Sequence, residues 1–260
     1  MKLITLIENL SYNDALSCEH GLSLYIEACG KRILFDAGET GAFADNAEKL
    51  GVDLSLVEVA ILSHGHSDHS GGLLRFLSVN ESAPVYLRKS ALDDYYGSKG
   101  DYIGLDERLK CSSRLRFVGD SQKIGDGLTV ISGTVITEHQ PIDSAGLTVR
   151  RNGLSLPDSF CHEQYLLIEE GGKRILISGC SHRGILNIAQ HFQPDVLVGG
   201  FHFFKQEPGS RMIKEAADQL LEYQTIYYTG HCTGEEQYLF MKKIMADRLR
   251  YLSTGTELQL

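Results

Sequence analysis

Short apolar, β-branched runs alternate along this chain with segments whose apolar residues recur at helical spacing. Leu3–Ile7, Ser23–Ala28 and Arg32–Phe35 read as strands, the last two joined by a Cys29-Gly30-Lys31 turn. Thr40–Leu50 reads as a short helix and Val57–Leu62 as a buried strand. Gly71–Leu77, with Leu73, Leu74 and Leu77 at helical spacing, reads as a helix, and Ala83–Leu87 as a further strand. Leu115–Val118 and Leu128–Ile136 restart the strand pattern. After Cys180 come a helix over Gly184–His191, a strand over Val196–Gly199, an amphipathic helix over Ser210–Tyr223 and a strand over Thr225–Thr229. A final helix over Glu235–Leu249 carries Tyr238, Met241, Met245 and Leu249 on one face. Helical patterns alternating with short strands predict an α/β layer fold. Arg88–Arg114, rich in Tyr, Asp, Gly and Lys, reads either as a mobile insertion beside a site or as an ordinary surface connection.

One pattern occurs twice. Ile26-Glu27, Gly30-Lys31-Arg32-Ile33-Leu34 returns as Ile168-Glu169, Gly172-Lys173-Arg174-Ile175-Leu176 with the same internal spacing. Both copies read as hairpins, running on into Asp36-Ala37-Gly38 and Ser178-Gly179-Cys180. A two-sheet sandwich with pseudo-twofold symmetry would produce such a pair, and so would chance convergence of hairpin chemistry.

At 260 residues and 42% hydrophobic, the chain is long enough to bury one sizeable core, and residues 1–260 are read as a single domain. Its formal net charge of −9 argues against a nucleic-acid surface but leaves room for a local basic pocket holding a small anionic substrate. Glu8 ends the N-terminal apolar run too early for a signal peptide, and no run approaches the ~18 apolar residues of a membrane span. Six cysteines show no C-x-x-C pair, so the expectation is a cytoplasmic protein with free thiols.

The most informative stretch is His64-Gly65-His66-Ser67-Asp68-His69, which follows the apolar run directly. Imidazole and carboxylate at a strand end form a donor set suited to zinc, iron or manganese, presented by a rigid scaffold.

This H-x-H-x-D-H loop, with Asp36 upstream, resembles the signature of the metallo-β-lactamase superfamily. Gly179-Cys180-Ser181-His182-Arg183-Gly184, Gly199-Gly200-Phe201-His202 and Gly230-His231-Cys232-Thr233-Gly234 are similar to motifs of the branch named for dihydropterin–ribofuranosylaminobenzene phosphate synthase. The resemblance implies a four-layer αββα sandwich with one or two metals at the shared edge of its sheets. It places His64 and His66 on one metal, and Asp68, His69 and His231 on a second.

In two places the chain departs from that pattern. Cys180 stands where the bridging aspartate is expected, either as a thiolate ligand, which favours zinc or iron, or as a buried strand-end cysteine. The third histidine of the first metal is not obvious. Asp158 and His162 qualify by position, and His182 is preferred because it sits two residues past Cys180.

His202 reads as a hydrogen-bond donor to a phosphate or as an acid, or else as a histidine packed among Phe201, Phe203 and Phe204. Asp36 is expected to orient the histidine loop. His20, His139 and His191 are expected at the surface, while Arg88, Lys89 and Lys205 lie beside predicted site loops and could meet an anion.

The leading expectation is a metal-dependent hydrolase using activated water on an ester- or phosphate-type substrate, with Asp68 and His202 in catalysis and one or two zinc ions as cofactor. The alternatives are a transferase joining a dihydropterin methyl diphosphate to an aromatic amine, and a non-catalytic metal- or ligand-binding protein.

Overall fold

Two hairpins of identical register anchor the computed structural model, which describes residues 1–260. Ile26 pairs with Ile33 in the first and Ile168 with Ile175 in the second, so the sequence echo is a structural one. The first half of the chain runs β1 (Lys2–Ile7), β2 (Ser23–Ala28), β3 (Lys31–Phe35), α1 (Ala42–Lys49), β4 (Val59–Ile61), α2 (Ser67–Ser70), α3 (Leu73–Val79), β5 (Val85–Arg88), β6 (Asp94–Tyr96), α4 (Glu107–Lys110) and β7 (Leu115–Val118). The second runs β8 (Ser121–Gly125), β9 (Leu128–Ser132), β10 (Thr148–Arg151), β11 (Leu154–Pro157), β12 (Gln164–Glu170), β13 (Lys173–Ile177), α5 (Ile185–Phe192), β14 (Val196–Val198), α6 (Arg211–Leu220), β15 (Ile226–Thr229), α7 (Glu235–Met245), β16 (Leu249–Tyr251) and β17 (Glu257–Gln259).

The strands form two large sheets, β17-β1-β2-β3-β4-β5-β7 and β16-β15-β14-β13-β12-β9-β8, plus a small one, β11-β10-β6. In each large sheet the second hairpin strand begins a parallel run, β3-β4-β5 in one and β13-β14-β15 in the other.

Alternate side chains explain the four layers. Ile33 and Phe35 of β3 face Ile175 and Ile177 of β13 in a core between the sheets, together with Val59, Ile61, Val196 and Val198. Leu34 points the other way, into a core with Phe43 of α1 and Phe76 of α3. Leu176 does the same on its own sheet, against Ile188 of α5, Ala217 of α6 and Met241 of α7. Strands buried on both faces read as continuous apolar runs, which is why Val57–Leu62 stood out. The architecture is the expected αββα sandwich.

Several boundaries differ. The last helix stops at Met245 because Ala246 takes a positive φ, and Lys242 Nζ satisfies the carbonyls of Ala246 and Leu249, each at 2.8 Å. Leu249 is buried as its pattern required, but on β16, paired with β15. The strand from Leu128 ends at Ser132, whose hydroxyl accepts the Thr134 N–H at 3.1 Å and starts a turn. Arg88–Arg114 is no simple connection, since its β6 pairs with β10 and the loop after β6 stands beside the cleft described below.

Ile26 is fully buried between the sheets. Replacing it with alanine is expected to lower stability by about 2–5 kcal/mol, read as a fall in the urea midpoint with unchanged slope.

Candidate metal centre

Parallel strands β3, β4, β13, β14 and β15 all end at one edge of the sandwich and deliver Asp36, His64, Cys180, His202 and His231 there. The halves meet closely. A side chain on Gly179 would strike Ser63 Oγ, so only glycine lets the Cys180 loop lie against the histidine loop.

Asp36 organises that loop. Its Oδ1 accepts the Ser63 N–H at 2.7 Å; its Oδ2 accepts the Ser63 hydroxyl and the His69 Nδ1–H, both at 2.7 Å. With its own proton given to Asp36, the Ser63 hydroxyl accepts from His64 Nδ1 at 2.8 Å. Both imidazoles are thereby held with Nδ1 as the donor, which turns Nε2 of each toward the donor sets. Asp36 thus sits where its expected orienting role requires.

Three donor groups result, with the ligand atoms of each within 4.8 Å of one another: a first set of His64, His66 and His182, a second of Asp68, His69, Cys180 and His231, and a third of His66, Asp158 and His162 that shares His66 with the first. His69 Nε2 lies 3.1 Å from both Cys180 Sγ and His231 Nε2, and Asp68 Oδ2 lies 3.2 Å from His231 Nε2. His64 Nε2, His66 Nε2 and both ring nitrogens of His182 are buried with no hydrogen-bond partner. An unpaired buried polar atom ordinarily costs about 1–3 kcal/mol, so several converging on one point fit a cation.

Burial, reinforced by the neighbouring imidazoles, holds His64 and His182 well below the ordinary histidine range, so they keep the lone pairs a metal needs. Burial also pushes the Cys180 thiol well above its ordinary range, a cost that a cation in its set would offset. For Asp68 burial alone would raise the pKa, but His69 and His231 outweigh it and hold the carboxylate well below its usual range.

His162 and Asp158 differ from His182 in how their polar atoms are used. His162 Nδ1 accepts the Gly65 N–H at 2.8 Å and its Nε2 donates to Asp158 Oδ2 at 3.0 Å, so both nitrogens are engaged. Asp158 Oδ2 also lies 3.5 Å from His66 Nε2. His182 is placed instead by a ring stack on Phe160 (4.3 Å, 7°) and by Glu163, whose carboxylate accepts the N–H groups of His182 and Arg183, both at 2.8 Å. Burial raises the pKa of Glu163.

The sets floor a cleft of about 340 Å³. His202 lines it at positive φ, 4.3 Å from His182 ring to ring, while Phe201 turns into the core. Burial, then repulsion from His66, pushes His202 down to about 3, so its ring is neutral near pH 7. Lys205 reaches the cleft as expected. Arg88 does not, because its guanidinium caps the carbonyls of Val118 and Gly119; Lys89 is likewise absent from the lining.

His20, His139 and His191 are all exposed, as expected; His20 also lines the cleft, with its ring 4.7 Å from that of His231. Lys99, Asn9, Glu8 and Glu163 also belong to the site or its supports and carried no sequence signal, each lying in a loop or at a strand end outside any periodic pattern.

Asp36→Asn keeps the volume but turns one acceptor into a donor. Zinc affinity is expected to fall about 10–100-fold, measured by competition with a chromophoric chelator.

The chain is similar to several known proteins. It is 29% identical to protein MJ0448 of Methanocaldococcus jannaschii over 240 residues, covering 88% of this chain and 89% of that one. It is 27% identical to the 7,8-dihydropterin-6-methyl-4-(beta-D-ribofuranosyl)-aminobenzene-5'-phosphate synthase of the same organism over 284 residues, covering 95% and 92%. The crystal structure of Tm1679, a metal-dependent hydrolase of the beta-lactamase superfamily, superposes with a TM-score of 0.86 at 30% identity, covering 100% of this chain and 99% of that one. The family model for the metallo-beta-lactamase superfamily matches residues 16–207, a span that includes the histidine loop, Cys180 and His202. By sequence and by architecture alike, the chain belongs to the metallo-β-lactamase superfamily.

Proposed function

We propose that this protein is a metal-dependent hydrolase that uses activated water on an ester- or phosphate-type bond of a small anionic substrate. The observation that carries this reading is the convergence of two donor sets, with bare buried imidazole nitrogens, on the floor of one cleft. In this reading His64, His66 and His182 hold one ion, and Asp68, His69, Cys180 and His231 hold a second. The thiolate and imidazoles favour zinc, with iron or manganese as the alternatives. A metal held there would supply hydroxide near neutral pH, by lowering the pKa of its water to roughly 7, and would polarise the bond under attack.

The protein's own groups do the rest. Asp68 stays ionised, so it binds and orients by accepting hydrogen bonds and does not store a proton. His202, neutral and beside His182 in the cleft, donates a ring N–H to the leaving oxygen. Lys99 and Lys205 at the rim attract the anionic end of the substrate. The cysteines are all free, which supports a reducing, cytoplasmic setting, and no helix is long and apolar enough to cross a membrane.

A second reading, group transfer from a dihydropterin diphosphate to an aromatic amine, is favoured by the similarity to the synthase. Zinc-loaded protein is expected to hydrolyse bis-p-nitrophenyl phosphate or p-nitrophenyl acetate, and chelator-stripped protein to lose that activity. Full activity without metal would end the proposal. Mass spectrometry after incubation with the dihydropterin diphosphate and the amine separates the readings: a coupled product establishes transfer, and hydrolysis alone excludes it. Tight zinc binding with no turnover in either assay would leave a metal-binding protein. In metal analysis, His182→Ala and Cys180→Ala are each expected to lose about one equivalent of zinc relative to wild type; unchanged stoichiometry in both would remove them from the ligand sets.

A further inference from the structure

Asn9, in the loop after β1, touches two histidines at once. The Gly21 N–H donates to its Oδ1 at 3.4 Å, which fixes the amide with its oxygen toward Gly21 and His231 and its NH2 toward His20. His231 therefore carries its proton on Nδ1, given to Asn9 Oδ1 at 2.9 Å, and keeps Nε2 bare among Asp68, His69 and Cys180. His20 is in the opposite state. Its Nδ1 lies 3.1 Å from Asn9 Nδ2 and has to accept, so its proton sits on Nε2. One amide thus sets two adjacent imidazoles in complementary tautomers, one a ligand and the other a donor.

The donor is unfilled. His20 Nε2 lies 3.5 Å from Asp68 Oδ2 without forming a hydrogen bond to it, and the ring lines the cleft with half its side chain exposed. The loop that carries it is pinned: a Cβ on Gly21 would come within 2.7 Å of the Asp68 carbonyl, and the Leu22 N–H donates to that same carbonyl at 3.2 Å. His20 is therefore held in place before any substrate arrives.

We infer that His20 is a substrate-binding residue, presenting its Nε2–H to an anionic oxygen, of a phosphate or a carboxylate, seated over the Asp68–His69–Cys180–His231 set, and that Asn9 fixes it in that role. The inference rests on the metal-site reading above but not on hydrolysis.

The test uses zinc-loaded full-length protein and inorganic phosphate as the probe, followed by calorimetry. Phosphate affinity is expected to fall about tenfold or more in His20→Phe and to stay within about threefold of wild type in His20→Gln, whose amide N–H replaces the imidazole Nε2–H. Zinc content should be unchanged in both. Long-range 1H–15N spectra should show His20 as the Nε2–H tautomer in wild type and as Nδ1–H in Asn9→Asp, whose carboxylate only accepts. Equal phosphate affinity in wild type and His20→Phe, no phosphate binding by wild type, zinc loss in His20→Phe, or an Nδ1–H tautomer in wild type would each overturn the assignment. Should these results hold while no ester is hydrolysed, the hydrolase reading falls and the donor assignment stands.

Discussion

Everything at the sheet edge depends on one buried carboxylate. Asp36 is fully enclosed, and it gains its stability from the donors of Ser63 and His69. A buried carboxylate without such partners would be severely penalised, so the histidine loop cannot drift without stranding it. That constraint turns an otherwise irregular loop into a rigid element. It also reaches, through the Ser63 hydroxyl, as far as His64 in the other donor set.

The scaffold is a pair of related half-structures. Hairpins β2–β3 and β12–β13 share a register, and each leads into parallel strands whose C-terminal ends meet at the same edge. Ligand sites collect at the C-terminal ends of parallel strands because loops there are free to vary while the strands stay fixed. Here two such edges face one another, and glycine at position 179 lets their loops touch.

Much of this could be read from the chain. The apolar strands, the repeated hairpin and the H-x-H-x-D-H loop are local patterns, and local patterns survive in sequence. Helix ends were harder, as at Ala246, where a lysine four residues earlier caps the turn and Leu249 stays buried on a strand. The supports of the site were illegible for a different reason. Asn9 and His231 are separated by 222 residues and Asp158 lies beside His66 from the other half of the chain; neither pairing leaves any periodicity. His20 is exposed, as the sequence suggests, but nothing near it in sequence reveals that its loop folds back onto Asp68. That His162 has both ring nitrogens hydrogen-bonded while His182 has neither is something only a three-dimensional arrangement can show.

Each donor set draws on both halves. His64 and His66 come from the first sheet and His182 from the second; Asp68 and His69 from the first, Cys180 and His231 from the second. An ion held by either set would therefore join residues of both halves and act as a clasp across the sandwich. By mass action such an ion would stabilise the folded chain, so metal availability would bear on how firmly the two sheets are held as well as on the chemistry at their edge.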